Sequence, residues 1–165
     1  MPLFYVDTSA LVKRYRVEQG TDVVNLLFQD LLPEDRFYTS FLTALEMSSA
    51  FYRLVGAGQL REIEARQVLA RFRRDLLDEF HVWLLTNDVV AAAEPLVETY
   101  RLRTADALHL ASALAVIGLV PTTPAVMVSS DRELLRAATA AGLTVLDPTD
   151  ADALNRLRQI RTAAS

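Results

Sequence analysis

The chain has no cysteine. Disulfide frameworks, zinc–thiolate sites and thiol nucleophiles are excluded at once. Lysine is nearly missing too: Lys13 is the only one, and the remaining cations are arginines. The net charge is −4, so the broad cationic surface that non-specific duplex binding needs is not provided. Histidine occurs only as His81 and His109, too sparse and too far apart to favour a zinc site. No long hydrophobic run occurs. The longest apolar stretch, Ala105 to Pro121, is interrupted by Asp106, His109 and Ser112, which is too short and too polar for a membrane span. No basic region followed by an apolar one opens the sequence, as a secretory signal would require. Neither a Walker A loop nor G-x-G-x-x-G is present, and there is no G-x-S-x-G elbow. A soluble cytoplasmic protein is expected.

What is present is enough for one domain with a real core. The 165 residues are 52% hydrophobic with a mean hydropathy of +0.19, far from the disordered class. Short apolar runs at Leu3–Val6, Arg36–Thr39, Phe80–Leu85, Ala125–Ser129 and Leu143–Leu146 read as strands. Between them lie helical stretches near 9–16, 21–32, 41–55, 60–79, 88–100, 105–117 and 131–140. Pro33 should stop the second helix, and Ser40 should cap the third. Pro95 should kink or delay the helix that contains it. Gly56, Gly58 and Gly142 suit helix C-termini. The helices at 41–55 and 60–79 form a hairpin. A tail helix near 150–160 carries Leu154, Leu157 and Ile160 on one side. Strands alternate with helices, so the class is α/β: a mainly parallel sheet of about five strands, helices on both faces, and a helical hairpin insertion.

Four carboxylates stand where a strand hands over to a helix, or on the helix just after. Asp7 follows Leu3-Phe4-Tyr5-Val6, beside buried backbone where an unpaired charge is costly. Its ordinary role would be an N-cap, although Ser9 could cap the same helix. Glu46 points away from the stripe of Ala44, Met47, Phe51, Leu54 and Val55, on the side of Thr43, Ser49 and Arg53. By helical geometry alone it is a surface acid. Asp106 opens an otherwise apolar helix with Thr104 available as cap. The helix dipole favours an acid there, but a buried carboxylate needs a partner, and this helix holds no lysine or arginine one turn away. Asp131 follows Val126-Met127-Val128. Because Ser130 and Glu133 form a capping-box pattern, Asp131 is left free. His109, one turn after Asp106, could be a ligand or a base, but reads first as a core histidine bonded to a neighbour.

Such acids converge if the sheet collects its carboxyl ends along one edge. Like charges gathered there repel unless a cation sits among them. An all-oxygen donor set suits Mg²⁺, with Mn²⁺ as the other candidate, and phosphodiester hydrolysis follows from what such ions do. Two other chemistries that begin with an aspartate after the first strand fail on the sequence. A haloacid-dehalogenase-type phosphatase needs a second aspartate two places on, where Ser9 stands. A response-regulator receiver needs a late lysine, and Lys13 is the only lysine.

The chain resembles the PIN-domain family, in particular the VapC-type toxins of toxin–antitoxin pairs. The matching pieces are Val6-Asp7-Thr8-Ser9-Ala10-Leu11, Ala44-Leu45-Glu46, Thr104-Ala105-Asp106-Ala107-Leu108-His109-Leu110-Ala111 and Ser129-Ser130-Asp131-Arg132-Glu133-Leu134, with Ala140 to Pro148 similar to the last strand. The resemblance implies a Mg²⁺-dependent endoribonuclease that cleaves RNA, is neutralised by a small cognate antitoxin and forms a homodimer. It implies Asp7 and Asp106 as principal metal ligands, Glu46 and Asp131 as secondary ones, Ser9 orienting Asp7, and Thr104 or Ser130 supporting the rim. A nuclease domain over 1–148 and a helical tail over 149–165 are expected; the tail matches no motif. The arginines of the 60–79 helix (Arg61, Arg66, Arg71, Arg73, Arg74) read as a solvated face or as a grip on RNA backbone. Two alternatives stay open: a nuclease for DNA or RNA processing, and a PIN-like protein that binds without catalysis.

Overall fold

The computed structural model describes residues 2–29, 35–119 and 125–163. Five strands form one sheet: β1 (Leu3–Val6), β2 (Arg36–Ser40), β3 (His81–Trp83), β4 (Ala125–Val128) and β5 (Thr144–Leu146). Their spatial order is β3-β2-β1-β4-β5, and every pairing is parallel. The α/β class with a five-stranded parallel sheet is therefore as expected. β1 lies in the centre with all four residues buried, which is why it reads as a continuous apolar run rather than an alternation.

Successive strand residues face opposite sides, and two cores result. Phe4 and Val6 of β1, Phe37 of β2, Val126 and Val128 of β4 and Leu146 of β5 join one. The helices on that side are α1 (Thr8–Leu11), α2 (Thr21–Gln29), α3 (Leu42–Gly56), α4 (Glu62–Glu79) and α8 (Ala153–Ala163). Tyr5 and Met127 point the other way, into a core built by α5 (Asn87–Tyr100), α6 (Thr104–Leu119) and α7 (Arg132–Ala140). Burying each large side chain, such as Phe72 or Leu110, contributes roughly 1.5–3 kcal/mol.

Several element ends differ from the sequence reading. The first helix stops at Leu11 and gives way to a 3-10 turn, Val12–Arg14. The third strand is only His81–Trp83, shorter than the expected 80–85. Pro95 sits inside α5, which starts at Asn87 with Thr86 as its cap. Ser40 accepts the Leu42 N–H at 3.2 Å, but α3 begins one residue later than a Ser40 cap would place it. Pro33 lies outside the described residues. The 56–58 and 140–142 segments do end helices as read: the N–H groups of Gly58 and Gln59 return to Val55 and Leu54, and those of Gly142 and Leu143 to Thr139 and Ala138. Gly58 and Gly142 take the left-handed φ that this closure requires.

The hairpin of α3 and α4 lies on the α1 side. The C-terminal end of α4 is tied down by the bidentate pair of Arg14 with Glu79, at 2.6 and 2.8 Å, and by Tyr15 donating to Asp75 at 2.9 Å. Arg61, the N-cap of α4, and most arginines within that helix are engaged with acids nearby: Arg61 with Glu64, Arg66 with Glu62, Arg71 and Arg74 with Asp75. This favours the solvated-face reading of that helix. The tail helix α8 packs Ala153 and Leu157 into the same core as α2. Gly20, just before α2, has φ +90° and lies against Pro148. No single helix among the described residues is long and apolar enough to cross a membrane.

Candidate active site

The strand order reverses direction at the β1–β4 pair, and crevices beside such a switch point, at the carboxyl ends of the strands, are where open α/β sheets bind ligands. Asp7 leaves β1 there, and Ser129 to Asp131 leave β4. The second turn of α3 brings Glu46, and the first turn of α6 brings Asp106. A cleft of about 330 Å³ is lined by all four carboxylates together with Thr8, Ser9, Ser49, Arg53, Arg103 and His109.

Asp7 does cap α1, its Oδ1 accepting the Ala10 N–H at 3.2 Å. Ser9 is not a rival cap: its hydroxyl donates to Asp7 at 2.9 Å and accepts the Ser130 N–H at 2.8 Å. The same oxygen lies 3.3 Å from the hydroxyl of Ser129, which is fully buried. One hydroxyl thus locks the β1–α1 turn to the β4–α7 turn. Asp7 is almost fully buried and has no lysine or arginine partner among the described residues. Burial raises its pKa, with His109 and the Ser9 and Ala10 hydrogen bonds only partly opposing.

Glu46 is held at both sides. Thr8 donates to Oε2 at 2.5 Å, and His109 Nε2 lies 2.7 Å from the same oxygen. His109 Nδ1 is 3.1 Å from the Tyr5 hydroxyl. His109 is therefore a bonded, buried histidine as read, and its partner is the weakest of the four sequence candidates. Desolvation pushes the imidazole down and the carboxylate up. The hydrogen bond and charge between them outweigh both, leaving His109 raised and Glu46 lowered. A raised histidine contributes stability below its ordinary value and loses it as pH rises through the folded value; a lowered glutamate contributes above its ordinary value and loses it in acid. The pair is thus fully formed between those two ordinary values. In Glu46→Gln, His109 should titrate at a lower pH than in the wild type, measured by NMR of the imidazole; an unmoved titration would remove Glu46 as its partner.

The sequence reading left Asp106 without a cation, and the structure corrects this. Arg103, three residues earlier and just outside the helix, donates from Nε to Asp106 Oδ2 at 2.9 Å. Its Nη2 reaches Asp131 Oδ2 at 2.6 Å. Burial still raises the Asp106 pKa, and the neighbouring Asp131 adds to that, against the Arg103 hydrogen bond. Asp131 differs from expectation as well. It, and not Ser130, caps α7: Oδ1 accepts the N–H groups of Glu133 and Leu134 at 2.9 and 3.1 Å. The Ser130 hydroxyl is buried with no hydrogen-bond partner among the described residues. Thr104 is an exposed residue opening α6 and does not line the cleft.

Four contributors were missed from sequence: Thr8, Ser129, Arg53 and Arg103. Thr8 and Ser129 sit next to or two places from a site acid, so the turn around each acid was the available signal. Arg103 stands at i−3 from Asp106, a spacing that joins side chains across a first helical turn. Arg53 lines the cleft, and no ion-pair or hydrogen-bond partner is seen for its side chain among the described residues.

The donor set is all oxygen, apart from His109, and the buried Asp7 carboxylate lacks a strong counter-charge. Both features suit a hard divalent cation. Among the described residues no three acidic or histidine side chains are placed as a group that could hold a metal ion, and Arg103 and His109 engage three of the four carboxylates.

A five-stranded parallel sheet with acids collected at its switch point is the architecture of a PIN domain, and the chain belongs to that family: the PIN-domain model matches residues 4–140. It is 36% identical over 149 residues to Ribonuclease VapC35 of Mycobacterium tuberculosis, covering 90% of this chain and 99% of that protein. Ribonuclease VapC49 of the same organism is 35% identical over 159 residues, covering 90% of this chain and all of the other. The solved structure of FitAcB from Neisseria gonorrhoeae has the same fold, with a TM-score of 0.65 at 19% identity over 88% of this chain and 97% of the other.

Proposed function

We propose that this chain is a metal-dependent endoribonuclease that acts in the cytoplasm as the toxin of a toxin–antitoxin pair. The observation that carries it is the convergence of Asp7, Glu46, Asp106 and Asp131 in one cleft, in a chain 36% identical along most of its length to a protein named as a ribonuclease. Asp7 and Asp106 would hold the ion, Mg²⁺ or Mn²⁺, with Asp131 and Glu46 completing the set. When bound, such an ion polarises a phosphoryl oxygen and lowers the pKa of water. The protein's own part is positioning. Ser9 fixes the Asp7 carboxylate, and Thr8 with His109 fixes that of Glu46. Glu46 thereby stays ionised at neutral pH, and with Oε2 taken by Thr8 and His109, Oε1 is the oxygen left to accept a proton. Arg53 offers a guanidinium to the RNA backbone as it enters the cleft. A small antitoxin that covers this cleft, and a homodimer as the working assembly, belong to the same proposal. So does the division into a nuclease domain over 1–148 and a helical tail over 149–165.

Two experiments test it. Purified protein incubated with mixed RNA should yield internal fragments with Mg²⁺ or Mn²⁺ and none with a chelator; cleavage that survives chelation rejects the metal dependence, and intact RNA throughout rejects the enzyme. Induced expression should arrest growth, with relief on co-expression of a small reading frame adjacent to the gene. Fragments without growth arrest would favour an RNA-processing nuclease instead. Arg53→Ala should weaken RNA binding alike across sequences and lower the slope of log affinity against log salt by about 0.7, one phosphate contact to a single strand. Fluorescence anisotropy with labelled RNA and no divalent ion reads both quantities, and an unchanged slope would dismiss Arg53 as a contact.

A further inference from the structure

We infer that Arg103 is a resident counter-cation that occupies the gap between Asp106 and Asp131 and must give way before a divalent ion binds there. The inference rests on the metal-dependent reading of the cleft and adds a named competitor for its carboxylates.

The geometry is specific. A single guanidinium spans two acids on different elements, with Nε on Asp106 Oδ2 at 2.9 Å and Nη2 on Asp131 Oδ2 at 2.6 Å. Asp131 has little else to offer. Its Oδ1 already accepts the two N–H groups that start α7, so Oδ2 is the oxygen left for the cleft, and Arg103 holds it. An ion ligated by that oxygen and the guanidinium exclude one another. The planar fork of arginine makes such a bridge possible, whereas a lysine ammonium is a point charge.

Arg103 is also built to leave. Its backbone is fixed: the carbonyl accepts the Ala107 N–H at 2.9 Å, and Leu102 before it is buried. The side chain itself is 75% exposed, so releasing the head group opens no void and returns the guanidinium to water. Solvent-exposed ion pairs are weak and screened. The two acids are the opposite. They repel one another when the cation leaves, and Asp106 is mostly buried, so a replacement charge is favoured over an empty gap. A divalent ion supplies more charge in less volume than a guanidinium. Across the cleft, Asp7 adds a carboxylate with no lysine or arginine on it among the described residues, a position the Arg103 bridge leaves unserved.

Arg103→Ala should therefore tighten divalent binding. Mn²⁺ and Mg²⁺ would be titrated into wild type and variant, following both melting temperature and heat of binding, with no RNA present. The expected result is an apparent Kd roughly 2- to 30-fold lower in the variant, the range that two exposed ion pairs span, with the metal-free melting temperature lowered by roughly 1–8 °C through loss of the same pairs. Arg103→Lys should fall between the two. Arg103→Gln, which keeps the stem and drops the charge, gives the same comparison if the alanine variant does not stay soluble. Binding by the variant alone would support the inference most strongly. Equal or weaker binding in the variants, with wild type still binding, overturns the inference and leaves the metal site standing. Absence of binding in every protein overturns both.

Discussion

Asp7→Asn should lower RNA cleavage by about 10³-fold or more and, without metal, raise the melting temperature of the protein. The first effect follows from charge. Metal-assisted phosphoryl chemistry draws several kcal/mol from charge stabilisation, and each 1.4 kcal/mol is a factor of ten. A neutral amide keeps the shape of Asp7 and removes its part in that. The second effect follows from burial. Asp7 is almost fully enclosed, and its partners are the Ser9 hydroxyl and the Ala10 N–H, with no arginine or lysine among the described residues. Burial lifts its pKa above the ordinary 3.8, so the folded state binds a proton more readily than the unfolded one. The contribution of this carboxyl to stability is then greatest below 3.8 and falls as pH rises through the folded value. Asparagine removes that loss and is itself a good N-cap. At neutral pH the gain appears as a higher melting temperature, each ~1 kcal/mol being worth roughly 2–4 °C for a chain of this size. Denaturation curves at several pH values, with and without Mn²⁺, read both halves. A variant that cleaves normally ends the catalytic assignment, and one that melts lower than wild type at neutral pH ends the account of Asp7 as a destabilising buried charge.

Gly20→Ala should destabilise the fold by about 2–5 kcal/mol, well beyond what the same change does at Gly142. A left-handed φ alone costs an L-residue roughly 1–2 kcal/mol. At Gly20, φ is +90° and an added Cβ would also meet the Pro148 backbone oxygen at 2.6 Å and its carbonyl carbon at 2.8 Å. Backbone cannot rotate aside as a side chain can, and such overpacking typically adds about 1–3 kcal/mol. Gly142 provides the control. Its φ is +89°, yet nothing lies within 4 Å of the Cβ position, so Gly142→Ala should show the conformational cost alone. Urea unfolding of both variants gives the difference. Equal losses would mean that the segments around Gly20 and Pro148 move apart at little cost.

The class of fold was legible because its cause is local. A buried parallel strand must be apolar throughout, and Leu3–Val6 and Val126–Val128 are. Helix ends at Gly58 and Gly142 were legible for the same reason, since a left-handed closure selects glycine. The partners of the acids were not. Arg103 meets Asp106 because the segment before α6 turns its side chain back along the first turn, which no apolar pattern announces. Asp131 caps α7 although a serine–glutamate capping box was available one residue earlier, because the Ser129 hydroxyl takes the Asp131 N–H at 3.0 Å and Ser130 donates its N–H to Ser9. Glu46 looked like a surface acid because helical periodicity says which face is apolar, not what the polar face looks onto. His109, one turn beyond Asp106 on a helix across the cleft, supplies that answer, and no local pattern links positions 46 and 109.

The central place of β1 has a consequence for how the protein is made. Leu3–Val6 pairs with β2, but it also pairs with β4, where Val6 lies opposite Val128. A ribosome adds about 5–20 residues per second, so β1 waits on the order of ten seconds for its second neighbour, with strongly apolar residues on both faces. The acids are separated by the same interval, since Asp131 follows β4. A nascent chain thus holds Asp7 and Glu46 long before it holds the complete cleft, and an RNA-cutting centre would be incomplete while most of its own message is being translated. Protease protection of chains stalled before and after residue 135 would date the event: the later chains should resist, and the earlier ones should not.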